Sequence, residues 1–459
     1  MQQGDTISAI ATAMGEGGIG IIRVSGERAI EVATAVFRPA SGRKLTDYGT
    51  QRAVYGRIVD ETGAVVDEAV ALLMQAPHSY TKEDVVELQC HGGIMPLRRT
   101  LQLTYQAGAR PAERGEFTKR AFLNGRLDLS QAQAVMDIIG ARTERSLSMA
   151  TGHLAGHFSA EIQTMRHTIL GQIAHLEAAI DFPEDEVDDV VTKDVIENVV
   201  DVRNKIRRLL CTAHTGRILR EGLMTAIIGK PNVGKSSLLN ALLREERAIV
   251  TDIPGTTRDS IEEYANVGGV PLRIIDTAGI RATDDVVEQI GVDKARAYVD
   301  QAALILALFD ASRELTAEDE EILSLVDGRE ALILLNKSDL EPVLDVQQLK
   351  AKTCSEIIPV STVNEDGLEA LTQAIMTKVY TGDMSNDEGT FVNDERQAEI
   401  LRRADEHLAA CLRTIEAEMG LDFISIDLRS AWEKLGELTG ETVGEDIIDE
   451  IFSKFCIGK

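Results

Sequence analysis

Eight consecutive residues constrain this chain more than any others: Gly229-Lys-Pro-Asn-Val-Gly-Lys-Ser236 has the form G-x-x-x-x-G-K-S. Its flanks decide what the string means. The apolar run Leu223–Ile228 precedes it, and the helix-like segment Ser237-Leu-Leu-Asn-Ala-Leu-Leu243 follows. Strand, glycine loop and helix together make a phosphate cradle, because N–H groups of the loop and of the helix N-terminus converge on an anion. In such a cradle Lys235 reaches the β and γ phosphates and the Ser236 hydroxyl ligates Mg²⁺. Asn232, Val233, Gly234 and Ser237 complete the predicted contact set. The Asn232 side-chain oxygen suits a small cation as well, a role the loop alone leaves open.

Three further strings follow in the order a GTP-hydrolysing fold requires. Thr251, Asp252, Ile253, Pro254, Gly255, Thr256 and Thr257 put hydroxyls on a loop that can order around a γ-phosphate and Mg²⁺. Asp276, Thr277, Ala278 and Gly279 end a strand-like run; the aspartate can hold a Mg²⁺-bound water and the Gly279 N–H can face the γ-phosphate. Asn336-Lys-Ser-Asp339 closes a later strand. The Asp339 carboxylate can accept from both N–H groups on guanine's Watson–Crick edge, with the Lys337 stem along the base plane. Adenine presents an acceptor there and leaves the carboxylate unpaired, so GTP is expected over ATP.

Hydrolysis poses a separate problem. Ras-like enzymes use a glutamine just after the D-x-x-G turn to orient water, and an arginine finger to offset developing charge. Here Ile280 stands in that place and can do neither. Glu288 is the nearest candidate carboxylate; from the residues alone, a surface helix glutamate is the simpler assignment.

The periodicity predicts a multidomain α/β and α chain, with a Ras-like P-loop domain inserted into a helical domain and preceded by an α+β domain. Residues 1–120 read as mixed α/β, 121–221 and 381–459 as helical, and 222–380 as βα units around a parallel sheet. The charge balance, 48 Lys and Arg against 75 Asp and Glu, gives −27 and opposes non-specific attraction to nucleic acid or anionic lipid, so any nucleic-acid contact must be local or supplied by a partner. The five cysteines are scattered and form no C-x-x-C pair, which disfavours a disulfide framework or zinc cluster. No stretch approaches the ~20 apolar residues of a spanning helix, and Met1–Ile10 lacks the pattern of a secretion signal. A cytoplasmic protein without membrane association is expected.

Several segments outside the phosphate cradle carry a resemblance. Asp5-Thr-Ile7, Gly17-Gly-Ile-Gly-Ile-Ile-Arg-Val-Ser-Gly26, Glu87-Leu-Gln-Cys-His-Gly-Gly93, Arg114 to Asp128 and Phe455-Cys-Ile-Gly-Lys459 resemble the MnmE (TrmE) family of tRNA-modifying GTPases over essentially the whole chain. The resemblance implies a potassium-stimulated GTPase whose N-terminal domain, residues 1–120, binds folate and builds a constitutive homodimer, and whose G domains meet face to face. Asn232, Thr251, Ile253 and Thr256 would hold K⁺ in the place of an arginine finger, Thr257 would join Ser236 on Mg²⁺, and Glu288 would orient water, with Lys235 and Gly279 at the phosphates. It implies a one-carbon tetrahydrofolate (5-formyl or 5,10-methylene) on Arg23, Glu87, Arg126 and Lys459. Arg126 stands where the family usually has lysine, a planar fork in place of a point charge. It also implies the flavoprotein partner MnmG, bringing FAD and NADH, and a hetero-oligomer that adds an aminomethyl or carboxymethylaminomethyl group to C5 of the wobble uridine. The alternative is a regulatory or ribosome-assembly GTPase that modifies nothing.

Other signals stay open or are set aside. Cys456 is either a nucleophile or a small, partly buried thiol. Gly15-Glu-Gly-Gly-Ile-Gly20 fits a dinucleotide fingerprint, but a strand-like run follows it where a helix is needed. His153 and His157 lack a third ligand and read as ordinary core or surface residues. The basic cluster Arg203–Arg220 reads as solvated helix charge.

Overall fold

The computed structural model describes residues 4–181, 188–245, 263–275, 298–380 and 390–459. The first unit is a seven-stranded sheet in the order β3-β4-β5-β6-β2-β1-β7. Its strands are β1 (Ile7–Ile10), β2 (Gly20–Ser25), β3 (Phe37–Pro39), β4 (Arg52–Val59), β5 (Val65–Met74), β6 (Val85–Cys90) and β7 (Arg110–Pro111). Only the β1–β7 pair is parallel. Alternate residues (Ile22 and Val24, Ala71 and Leu73, Val86 and Leu88) face α1 (Ala29–Val36) and α2 (Ile94–Gln106) in one apolar core. The intervening residues, Arg23 and Glu87 among them, stand on the opposite face as direct cross-strand partners.

Helices then take over: α3 (Glu116–Leu123), α4 (Leu129–Gly140), α5 (Glu144–Leu154), α6 (His157–Asp181) and α7 (Asp188–Glu221). The start of α4 is fixed locally, since the Asp128 carboxylate accepts from Gln131 N at 2.9 Å and the Gln131 amide oxygen accepts from Asp128 N at 3.0 Å. Part of the acidic stretch 181–189 lies outside the described residues.

The second sheet has six strands in the order β13-β12-β11-β8-β10-β9. They are β8 (Leu223–Gly229), β9 (Glu263–Val267), β10 (Val270–Ile274), β11 (Leu304–Asp310), β12 (Ala331–Asn336) and β13 (Glu356–Pro359), flanked by α8 (Lys235–Glu245), α9 (Ala317–Val326), α10 (Val346–Lys352) and α11 (Leu368–Val379). Every residue of β11 and β12 is buried, as central parallel strands require. One expectation needs correcting: the sheet is not all parallel, because β9 runs antiparallel to β10. Gly268 and Gly269, at φ 60° and 86°, make the two-residue turn between them, a conformation that glycine alone adopts without strain. Chain order reverses around β8, which has β10 on one side and β11 on the other; this is the switch point where such sheets bind ligands.

The chain returns to helices with α12 (Glu395–Glu416), α13 (Leu421–Thr439) and α14 (Glu445–Ser453). Residues at three- and four-residue spacing on α6, α7, α12 and α13 (Ile162, Met165 and Ile169; Val199, Val202 and Ile206; Leu401, Ala404 and Leu408; Leu428, Ala431 and Leu435) form one core. The sheet is thus inserted between helices of one bundle. Its entry and exit are tied together: Thr215 donates to the Val379 carbonyl at 2.9 Å, and Val392 N donates to the Thr212 hydroxyl at 3.0 Å. The basic cluster is only partly solvated charge. Arg203 grips Asp405 at 2.7 and 3.2 Å, and Arg220 reaches Asp137 at 2.9 Å. Among the described residues no helix is long and apolar enough to cross a membrane, and no group of three metal-ligating side chains occurs.

His153 of α5 is buried, stacks on Phe158 and donates from Nε2 to the Phe391 carbonyl at 2.7 Å, whereas His157 is exposed. Burial pushes the His153 pKa down to about 4. The neutral ring therefore belongs to the folded state, and its stabilisation is complete above pH ~6.5 and lost as pH falls towards 4. Thermal unfolding should show wild type losing on the order of 3 kcal/mol more than His153→Gln across that window; parallel pH profiles would contradict this.

Candidate functional site

Sequence and burial build the phosphate loop from both sides. β8 ends at Gly229, whose φ of 153° and closeness to the Leu308 carbonyl leave no room for a side chain. Asn232 is exposed at φ 60°, a left-handed conformation that asparagine tolerates better than most residues. Gly234, at φ 103°, passes against the Asn336 amide, so only glycine fits. Lys235 opens α8 and folds back on the loop, donating to the carbonyls of Gly229 at 2.7 Å and Lys230 at 2.8 Å. Burial lowers its pKa, a cost that an anion beside the ammonium would offset. Ser236 and Ser237 follow on the exposed side of the helix start. Lys230 is held away by Asp319 at 2.5 Å and Thr316 at 2.9 Å, at the N-terminus of α9.

The ends of β11, β12 and β13 meet this loop. Asn336 is buried; its Nδ2 donates to the Val233 carbonyl at 2.7 Å and its Oδ1 accepts from Thr362 N at 3.2 Å. Lys337, at φ 64°, sends its ammonium to Asp310 at 2.6 Å. Although burial pushes the Asp310 carboxyl up, the hydrogen bonds from Lys337 and Ser312 outweigh it and the pKa is lowered. Asp339 is exposed, with Oδ1 accepting from the buried Ser361 hydroxyl at 2.6 Å. Ser361, Thr362 and Asp310 escaped the sequence reading. The signal available was their place at carboxyl ends of strands beside the phosphate loop. Thr251, Asp252, Ile253, Pro254, Gly255, Thr256, Thr257, Asp276, Thr277, Ala278, Gly279, Ile280 and Glu288 lie outside the described residues.

A second cluster forms on the face of the first sheet opposite α1 and α2. Arg23 Nε donates to Glu87 at 2.9 Å and its Nη1 to the Gly458 carbonyl at 3.3 Å. The guanidinium lies 5.3 Å from the Tyr80 ring and 5.6 Å from Phe117. Arg126 covers the same tyrosine at 4.6 Å and donates to its carbonyl at 3.0 Å. Residues 455–459 reach this place because Gly115 N donates to the Cys456 carbonyl at 3.2 Å and Arg114 bridges Ile457. Burial and then the nearby Arg23 charge lower the Lys459 pKa. The structure therefore brings Arg23, Glu87 and Lys459 together, with Arg126 beside them across Tyr80, a residue the sequence reading missed. Cys456 is exposed, as are Cys211 and Cys354, while Cys90 and Cys411 are buried; all are free thiols.

A glycine loop at the switch point of a Ras-like sheet, faced by Asn-Lys-x-Asp from the end of β12, one strand beyond β11, defines the class: a P-loop GTPase, here inserted in a helical bundle. The family model for the MnmE helical domain matches residues 129–456, and the model for the GTP-binding protein TrmE N-terminus matches residues 6–126. Curated relatives include the tRNA modification GTPase MnmE of Alkaliphilus metalliredigens, 49% identical over 457 residues and covering 99% of each chain. That of Geobacillus kaustophilus is 48% identical over 462 residues, covering 100% of each, and that of a Thermoanaerobacter strain is 50% identical over 457, covering 99% of each. The chain belongs to the MnmE family of tRNA modification GTPases.

Removing the Asn336 side chain leaves the Val233 carbonyl and Thr362 N–H without partners. Such losses cost about 1–3 kcal/mol each, so Asn336→Ala should weaken GDP binding at least about tenfold in a calorimetric titration. An unchanged affinity would show that the tie does not shape the site.

Proposed function

We propose that this chain hydrolyses GTP in a potassium-stimulated cycle that drives modification of the tRNA wobble uridine, together with a flavoprotein partner of the MnmG kind. One observation carries the nucleotide half: the phosphate loop and the guanine-reading Asp339 are tied into one rigid unit through Asn336 and Ser361. The loop N–H groups and Lys235 hold the phosphates, Ser236 and Thr257 ligate Mg²⁺, and Asp276 holds a Mg²⁺-bound water. Asn232, exposed on a turn of the phosphate loop, would offer its amide oxygen to a monovalent cation, with Thr251, Ile253 and Thr256 completing that set. K⁺ supplies the positive charge that an arginine finger gives elsewhere. Glu288 takes over water orientation from a position where Ile280 has no polar atom.

The Arg23 cluster suits a one-carbon tetrahydrofolate. Glu87 can accept from the amino edge of a pterin, and Arg23 and Lys459 can receive carboxylates. The fit rests on charge: Arg23 is paired with Glu87, and burial and the Arg23 charge lower the Lys459 pKa beside them, so an anion would relieve both cations. Arg126 and the Tyr80 ring border the same place. The homodimer, with G domains face to face, and the partner's FAD and NADH belong to the same reading.

GTP turnover should be at least about tenfold faster in KCl than in NaCl at equal ionic strength, and Asn232→Ala should remove that difference. Equal rates in the two salts would contradict the cation's role. Mass spectrometry of tRNA nucleosides from a deletion strain should show loss of the modified wobble uridine. An unchanged profile with ribosome-subunit defects would favour the regulatory alternative.

A further inference from the structure

A tyrosine stands at each passage of the chain between the helical bundle and the six-stranded sheet, Tyr264 of β9 beside the entry at Gly222 and Tyr380 at the exit, and both lie under arginines from one helix edge. The Arg142 guanidinium, in the turn before α5, is 5.0 Å from the centre of the Tyr264 ring. That of Arg145, in the first turn of α5, is 4.9 Å from the Tyr380 ring. Tyr264 belongs to β9, and its ring edge lies 3.3 Å from where a Cβ would stand on Gly222, the residue at which the chain leaves α7 for β8. Tyr380 follows Val379 at the exit, where Thr215 of α7 is bonded. The Arg145 stem also presses on the β9–β10 turn, its Cδ 2.7 Å from the Cβ position of Gly269. At the same helix end the Ser146 hydroxyl donates to the Leu219 carbonyl at 2.6 Å, fixing α5 to the last turns of α7.

The sequence position of the β9–β10 hairpin gives these contacts meaning. It joins the stretch carrying Thr251–Thr257 directly to the stretch opening with Asp276, so it is covalently continuous with both groups of residues assigned to the γ-phosphate and Mg²⁺. Among the described residues, this hairpin is the regular structure that adjoins both stretches. A cation over an aromatic face keeps its attraction while the two slide slightly, whereas a packed core resists small displacements.

We propose that Arg142 and Arg145 form a two-point clasp on Tyr264 and Tyr380 that passes the nucleotide state of the inserted sheet to the helical bundle. They are positioning residues and touch no substrate. The inference rests on the GTP cycle proposed above, but not on the identity of the product that cycle serves.

The test uses the full chain and hydrogen–deuterium exchange of peptides from α5, compared between GDP and GDP with aluminium fluoride in KCl. Wild type should show at least a threefold difference in α5 exchange rate between the two states. Arg142→Ala with Arg145→Ala, and separately Tyr264→Leu, should remove that difference while GTP turnover stays within twofold of wild type. Tyr264→Phe, which keeps the ring, should retain it. No state dependence in wild-type α5, its persistence in the alanine pair, or its loss together with GTP turnover would each overturn the clasp. A parallel assay of the modified nucleoside separates the two readings. State-dependent exchange without any modified product keeps the clasp and discards the assigned cellular role. Product formed normally by variants that have lost the exchange difference keeps the clasp and shows that modification does not depend on it.

Discussion

The nucleotide site depends on one buried amide. Asn336 spans from the Val233 carbonyl in the phosphate loop to Thr362 N beyond β13, and it is 1% exposed. A nucleotide is read at two ends, its phosphates and its base, and recognition needs the two reading elements at a fixed separation. The side chain of Asn336 supplies that separation because both of its polar ends are satisfied away from water, where an unpaired group would be costly. Asp339 and Lys337 extend from the same strand end. Ser361 fixes the carboxylate and Asp310 anchors the ammonium, so the two side chains proposed to read the base are held before any ligand arrives.

Insertion imposes a second constraint. A sheet spliced between α7 and α12 must not unravel the bundle that carries it, and the crossing is accordingly dense in polar ties. Arg220, at the end of α7, reaches Asp137 of α4 and Asp394 at the start of α12, at 2.9 and 3.4 Å. Asn393 donates to the same Asp137 at 2.9 Å. Burial raises the Asp137 pKa in spite of these partners, so this network stores its stability in complete pairing. Gly216 is small because the returning Val392 carbonyl occupies the space of its Cβ. The inserted unit is thereby bonded to the bundle at both chain passages, which is what a nucleotide-driven cycle needs if it is to act on distant chemistry.

How far the sequence revealed this differs element by element. β8, β11 and β12 were legible because buried parallel strands read as unbroken apolar runs that end in motifs. β9 was not, because Glu263–Val267 is short and partly exposed, and its partner is chosen by the turn at Gly268 and Gly269. The β3–β5 meander escaped for the same reason: half-exposed antiparallel strands alternate, and Arg52–Val59 carries charge on its open face. The phosphate loop followed from local spacing, but the Asn336 tie bridges residues 103 apart and Ser361 acts across a loop, so neither has a local signature. Arg23 and Glu87 met only through sheet register, and the sequence reading joined them through family resemblance alone. The basic cluster misled because its acidic partners on other helices lie far off in the chain, Asp405 being 202 positions after Arg203 and Asp137 on α4 well before Arg220.

The account stands on guanine recognition by a carboxylate pre-set next to a phosphate loop, and nucleotide-exchange titration measures that most directly. Full-length protein should bind GDP at least about a hundredfold more tightly than ADP, since a base that cannot donate leaves Asp339 unpaired. Asp339→Asn, which replaces an acceptor with a donor, should lose GDP and gain xanthosine diphosphate, whose 2-carbonyl accepts that bond. Equal affinity of the wild type for GDP and ADP, or undiminished GDP binding by the asparagine variant, would contradict the account.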